Sequence, residues 1–323
     1  MLFPPFGWSE LWSRSPEKAG RSGRIQVRRF AGPLAYAGTM SPIVVAHLTD
    51  QHVGRVTPFK IQKEAVALTN AQKPDLVVVS GDFVCHSQLY LDQLTELMRE
   101  LAAPVIGVLG NHDHWAGADE VVAALRRAGV EVLRNQHLTI TIRHQRIQIV
   151  GLDDAYTGHA RRDKAVHGLR SDLPALGLSH IAEEADGLWQ HGIPLVLSGH
   201  THGGQVTVAR FHELAIGRIG GHRYVHGLYG TRQQPGRGAM GAVYVGAGIG
   251  ASVMPIRLGD RGKREITIFE LGRRPGEFEE HHTEQDALPG RAPSAAKQRR
   301  RAEKVLEKRA RRARRRTASL RTP

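Results

Sequence analysis

Five short apolar runs in this chain each stop at a polar motif, and those stops restrict its possible folds more than any other feature. The run at 43–49 (IVVAHLT) ends in Asp50-Gln51-His52. The run at 75–80 (DLVVVS) ends in Gly81-Asp82, and 104–109 (PVIGVL) ends in Gly110-Asn111-His112-Asp113. His180 directly follows 173–179, and PLVLS at 194–198 runs into Gly199-His200-Thr201-His202-Gly203-Gly204. Helical spacing fills the intervals at 59–70, 89–101 and 118–128. Continuous apolar strands alternating with helices predict an α/β fold whose sheet is covered on both faces. In open α/β sheets ligands gather at the carboxyl ends of strands. All five stops therefore fall where a site is built.

After Gly129 the pattern changes. The stretches 138–142 and 146–152 predict a hairpin, and 155–171 reads as a loop. Strands are expected at 173–178 and 193–197, around a helix near 183–191. Further strands at 205–208, 242–245 and 265–271 are expected to complete a second strand group. Between them, 210–238 is rich in Gly, Arg and His.

Composition narrows the chemistry. Cys85 is the single cysteine, so an internal disulfide and zinc sites built on several cysteines are excluded. The metal of the motifs is expected to be held by His, Asp, Glu or Asn. The net charge of +14 is concentrated at the ends. Residues 291–323 carry 14 Lys/Arg against 2 Asp/Glu, and 1–40 contribute +4, which leaves 41–290 at −2. The expected organisation is an N-terminal extension at 1–40, a catalytic domain at 41–290 and a basic tail at 291–323. Met40 is an alternative start. No stretch reaches the roughly 18 apolar residues of a membrane span, and the first residues do not read as a signal peptide. The expected location is cytoplasmic, with the tail allowing a peripheral position at the inner membrane face.

Each stop has a chemical rationale. Asp50 and His52, two apart on an extended segment, point the same way and can grip one ion. The glycines let the backbone turn sharply and come close. Asp82 is the natural carboxylate to bridge two cations, while Asn111 supplies a neutral oxygen. His180 is preferred to His159, His167 and His191 because it alone directly follows a strand. Arg218, His222, Arg223, His226 and Arg232 are candidates for phosphate binding, with a solvated rim as the plainer reading.

Together the motifs DQH, GD, GNHD, a strand-end His and GHTH resemble the calcineurin-like metallophosphoesterase superfamily. SGHTHGGQV, with RYVHGLYG and YVGAGIGASVMPIRLG, is similar to its bacterial YkuE/YaeI-type branch. The resemblance spans 41–271. It implies a four-layer α/β/β/α sandwich with two divalent cations, for which Mn, Fe and Zn all suit the ligands. It implies that Asp50, His52 and His202 hold the first ion, Asn111, His180 and His200 the second, and that Asp82 bridges them. His112 would face the leaving group. Two departures stand out. Ile181-Ala182 follows His180 where relatives often have Pro at the second position. Cys85 stands where many carry an Asp that orients the catalytic His, which leaves His112 either held by another group, with Asp113 the candidate, or less effective.

Two cations about 3.5–4 Å apart can trap a bridging water and lower its pKa towards neutrality, so that hydroxide attacks phosphorus in line. The expected function is phosphoesterase, with a phosphodiester favoured as the phosphate-ester substrate. The basic tail suits a polyanionic partner, either nucleic acid or an anionic membrane surface. The alternatives are a binding protein that keeps the fold without turnover, and a nuclease directed by the tail.

Overall fold

In the computed structural model the described residues are 25–204, 221–233, 241–251, 257 and 262–288, with isolated positions of the tail. The strands are β1 Ile25–Ala31, β2 Ile43–Leu48, β3 Leu76–Ser80, β4 Val105–Val108, β5 Val130–Leu133, β6 Gln136–Ile142, β7 Gln145–Gly151, β8 Ala175–Leu178, β9 Leu195–Ser198, β10 Gly227–Gly230, β11 Ala242–Val245 and β12 Arg264–Leu271. The helices are α1 Leu34–Ala37, α2 Phe59–Ala71, α3 Leu91–Arg99, α4 Asn111–Ala116, α5 Ala118–Arg127, α6 Arg162–Val166 and α7 Ala185–Trp189. They build two six-stranded sheets, ordered β1-β12-β2-β3-β4-β5 and β10-β11-β9-β8-β7-β6.

Strand alternation turns these sheets into layers, because successive side chains face opposite ways. Ile43 and Val45 of β2 and Leu76 and Val78 of β3 meet Ile149, Leu176 and Leu197 of the other sheet. Their neighbours Ala46, Leu48, Val77 and Val79 turn outward onto α2, α3 and α5, through Ala65, Leu97 and Leu125. In the second sheet Val150, Val196 and Val243 turn outward onto α6 and α7, through Ala165, Leu188 and Trp189. The result is the expected four-layer α/β/β/α sandwich. Its strands read as continuous apolar runs because both faces are covered.

Two expectations are corrected. The segment expected to join the second strand group, β12, lies in the first sheet, parallel to β1 and antiparallel to β2. A strand buried on both faces carries no mark of which sheet it joins. The first sheet also begins at Ile25, inside the stretch expected to be an extension. Its sequence, IQVRRFA, hides this because Arg28 breaks the apolar run. Arg28 is only 5% exposed, and its Nε donates to Glu265 Oε2 of β12 at 2.7 Å. The short β5 was not foreseen, and α6 lies within the expected loop. The expected strand at 205–208 and most of the basic tail lie outside the described residues. Among the described residues, no helix is long and apolar enough to cross a membrane.

Candidate metal centre

β2, β3 and β4 are neighbours in one sheet, and β8 and β9 in the other. Their carboxyl ends bring Asp50, His52, Asp82, Asn111, His180, His200 and His202 towards one another. Asp50, His52 and His180 are fully buried, Asp82 and Asn111 nearly so, and His200 half-buried. Five of these residues carry left-handed backbone: Asp50 (φ 48°), His52 (44°), Asp82 (54°), His200 (75°) and His202 (53°). Left-handed φ is uncommon outside glycine, and strain of this kind concentrates at functional sites. The backbone holds it through cross-strand hydrogen bonds. Asp50 N donates to Gly81 O at 3.0 Å and His52 N to Asp82 O at 2.9 Å.

Among the described residues three groups of side chains have ligand spacing, and two of them are built on Asp50. In the first, His52 Nε2 lies 3.0 Å from His202 Nε2, and Asp50 Oδ1 lies 3.6 Å from His52 Nε2 and 3.4 Å from His202 Nε2. Donors held about 2.0–2.1 Å from one tetrahedral ion stand about 3.4 Å apart. The three separations match that edge. In the second group, Asp50, Asp82 and His180 converge, with His180 Nε2 3.3 Å from Asp82 Oδ2. Asp50 thus belongs to both groups, a sharing expected of Asp82. Asp82 Oδ2 nevertheless also faces His52 Nε2 at 3.5 Å. The His200 ring packs edge-on against His180 at 5.1 Å, and its backbone N donates to Asp50 Oδ2 at 3.0 Å.

Satisfied and orphaned atoms divide in an informative way. His180 Nδ1 bonds the Ser80 carbonyl at 2.7 Å, which leaves its Nε2 as the inward nitrogen. That nitrogen, Asp50 Oδ1, Asn111 Oδ1 and His200 Nδ1 are all buried without a hydrogen-bond partner. Leaving such a group unpaired costs about 1–3 kcal/mol. Divalent cations would satisfy all four, so the residues fit the metals that the motifs imply.

Charge supports the same fit. Burial alone would raise the carboxyls of Asp50 and Asp82, but the surrounding histidines outweigh it and hold both well below the usual carboxylate range. Burial disfavours charge on His52 and His180, yet the carboxylates push both up to about 10. Burial keeps His200 well below its usual value and lowers His202 to about 3. Protons on His52 and His180 therefore neutralise the acid pair when no cation does. A cation must displace them, so its affinity should weaken as pH falls.

His112 opens α4. Its backbone N donates to Asp82 Oδ1 at 2.8 Å, and its Nε2 stands 4.0 Å from Asp82 Oδ2. The orientation proposed for Asp113 is corrected. That carboxylate accepts from Val84 N at 3.1 Å and Gly110 N at 2.9 Å, and so pins the loops instead. His112 Nδ1 bonds the Cys85 main-chain carbonyl at 2.5 Å. The position that carries Cys in place of Asp thus still orients the histidine, through its backbone. Three of the five rim candidates are committed elsewhere: Arg223 pairs with Asp186, His226 faces Glu265 at 2.9 Å, and Arg232 pairs with Glu284 at 2.7 Å. His222 faces Glu183 at 3.2 Å, but its ring also packs edge-on against His200 at 5.4 Å and so borders the site. Arg218 lies outside the described residues.

Sequence reasoning missed an arc of partly exposed rings beside the buried ligands. Trp115 packs on His112 at 4.7 Å, and Tyr156 packs on His200 at 5.0 Å and on Trp115 at 6.0 Å. Trp115 was within reach, three residues after His112 on one helix. Tyr156 sits in a loop and carries no periodic signal.

Gly110 is a sharp test of this geometry. A Cβ there would stand 2.2 Å from Asp82 Oδ1 and 2.6 Å from Asp82 N. Gly110→Ala should cost about 1–3 kcal/mol of stability, as overpacking does, and displace Asp82. A thermal melt with Mn²⁺ titration should show a folded protein with much weakened ion binding. Unchanged affinity would mean that Asp82 is not fixed as described.

The sequence model of the family described as calcineurin-like phosphoesterase matches residues 43–204. Phosphodiesterase YaeI of Escherichia coli (strain K12) is 31% identical over 239 residues, covering 72% of this chain and 83% of that protein. Metallophosphoesterase YkuE of Bacillus subtilis (strain 168) is 30% identical over 233 residues, covering 70% and 78% respectively.

Proposed function

We propose that this chain, which belongs to the calcineurin-like phosphoesterase family of metal-dependent phosphoric ester hydrolases, is a phosphodiesterase working with two divalent cations. The observation that carries the reading is the ligand-like spacing of Asp50, His52 and His202, at 3.0, 3.4 and 3.6 Å. Asp50, His52 and His202 would hold one ion and Asn111, His180 and His200 the other, with Asp82 between them. The pair, when bound, supplies Lewis acidity towards phosphoryl oxygens and a nucleophilic water at neutral pH. The displacement at phosphorus is in line. His112 Nδ1 is engaged by the Cys85 carbonyl, which directs Nε2 to the reacting side as the proton donor to the departing alkoxide. The diester preference leans on the resemblance to phosphodiesterase YaeI.

The working unit in this reading is the domain expected at 41–290, extended at its N-terminus by β1. The tail at 291–323 serves as a separate polycationic tether, with an acidic membrane face as its favoured partner. Metal analysis of purified protein, coupled to a panel of phosphomonoesters and phosphodiesters, tests the function. About two ions of Mn, Fe or Zn per chain and preferential diester cleavage are expected. A metal-loaded protein that binds esters without hydrolysing any would favour the non-catalytic alternative. Running the panel and acidic-liposome binding with and without 292–323 separates the tail from the chemistry. Shortening should abolish low-salt retention on liposomes and leave cleavage of a small diester intact.

A further inference from the structure

Beside the oxygen-rich ligands lies a third cluster of different character. Cys85 Sγ and one ring nitrogen each of His52 and His112 all lie within 4.8 Å of one another, and all three residues are buried. The sulfur is held by its backbone on two sides. Cys85 N donates to Val53 O at 3.1 Å, and its carbonyl takes His112 Nδ1. An isolated bridge between Val53 and Val84 ties the two segments together. His52 adds an independent sign. Its Nε2 faces Asp50, Asp82 and His202, while its Nδ1 is a buried nitrogen without a hydrogen-bond partner. His52 is fully buried, so bulk solvent does not reach that atom.

We propose that Cys85, His52 and His112 form a further site, sharing His52 with the first ion's ligands, for a thiophilic d¹⁰ cation, Zn²⁺ or Cd²⁺, and that filling it inhibits the enzyme. Softness separates this site from its neighbours. Thiolate and imidazole select ions of this class, whereas carboxylate-rich groups suit harder ones. Around one tetrahedral zinc, donors at about 2.0–2.3 Å stand roughly 3.4–3.8 Å apart. The 4.8 Å bound on the cluster therefore leaves at most about 1–1.4 Å to close. Binding leaves a sulfur–metal bond and releases to solvent the thiol proton together with any proton carried by the two ring nitrogens that bind. It also takes the His112 ring away from the substrate. Only the inhibition rests on the function proposed above; the site itself does not.

The test uses the full chain loaded with Mn²⁺ and adds Cd²⁺ as the probe. Wild type should develop the ultraviolet thiolate-to-cadmium absorption, saturating near one equivalent per chain. Over the same titration, hydrolysis of a diester with an alkyl leaving group, which depends on the His112 proton, should fall at least tenfold. Cys85→Ala should lose the absorption and need at least tenfold more Cd²⁺ for equal fractional inhibition. Cys85→Ser is the second variant, should the alanine form misfold, and should behave like it. Absence of the absorption in wild type would overturn the site. So would equal Cd²⁺ sensitivity in wild type and both variants, since Cd²⁺ would then act by displacing the resident ions. A wild type that shows the absorption but hydrolyses nothing would sink the proposed function and leave the site standing.

Discussion

His112→Ala should lower kcat about 10²–10⁴-fold on a diester with an alkyl leaving group, the usual range for a lost general acid, while metal content stays unchanged. The two outcomes separate because the residue makes two kinds of contact. Its backbone N donates to Asp82 Oδ1, a bond that alanine keeps, so Asp82 stays in place. Only the ring is lost, and with it the Nε2 that stands 4.0 Å from Asp82 Oδ2. A p-nitrophenolate leaving group departs with little need for a proton. The same variant should therefore lose much less on p-nitrophenyl esters, with KM little changed on either substrate. The check is kcat on paired alkyl and p-nitrophenyl diesters, with metal measured on the same preparations. Full activity on the alkyl diester would remove His112 from the chemistry. Loss of metal in parallel would make it a structural support instead.

The parts of this site that were legible in the sequence are those where an apolar run stops abruptly. Burial on both faces forbids polar residues along a central strand, so Asp50-Gln51-His52 after IVVAHL is visible as an interruption. The same holds for His200 after LVLS. What stayed hidden depends on three dimensions. Sheet membership of β12 is invisible because Ile266 and Ile268 face helices while Phe269 and Leu271 face the other sheet. Both faces are apolar whichever sheet it joins. β1 is masked by Arg28, whose charge is neutralised by Glu265, 237 residues away in sequence. Orientation of His112 by a main-chain carbonyl leaves no side-chain signature, so the Asp-to-Cys departure suggested a defect where the backbone supplies the contact. The left-handed φ of five ligand candidates likewise has no marker in residues that are not glycine.

Asp82→Ala should remove both ions and cut activity by more than the 10–100-fold that loss of an outer-shell partner costs. One carboxylate serves several partners here. Asp82 Oδ2 faces His180 at 3.3 Å, His52 at 3.5 Å and His112 at 4.0 Å, while Oδ1 accepts from His112 N. Alanine withdraws the negative charge that offsets two cations and frees the start of α4 at the same time. Asp82→Asn separates these effects. The amide oxygen can still accept from His112 N, so α4 should hold and thermal stability should stay near wild type, but the charge is gone. If the charge is what retains the ions, Asn should bind them nearly as poorly as Ala. If anchoring of α4 is what matters, Asn should recover metal and activity together. Metal content, Mn²⁺ affinity and melting temperature of the two variants decide between these. An alanine variant that keeps about two ions per chain would mean that the second ion is held without Asp82, and the shared-carboxylate centre would have to be abandoned.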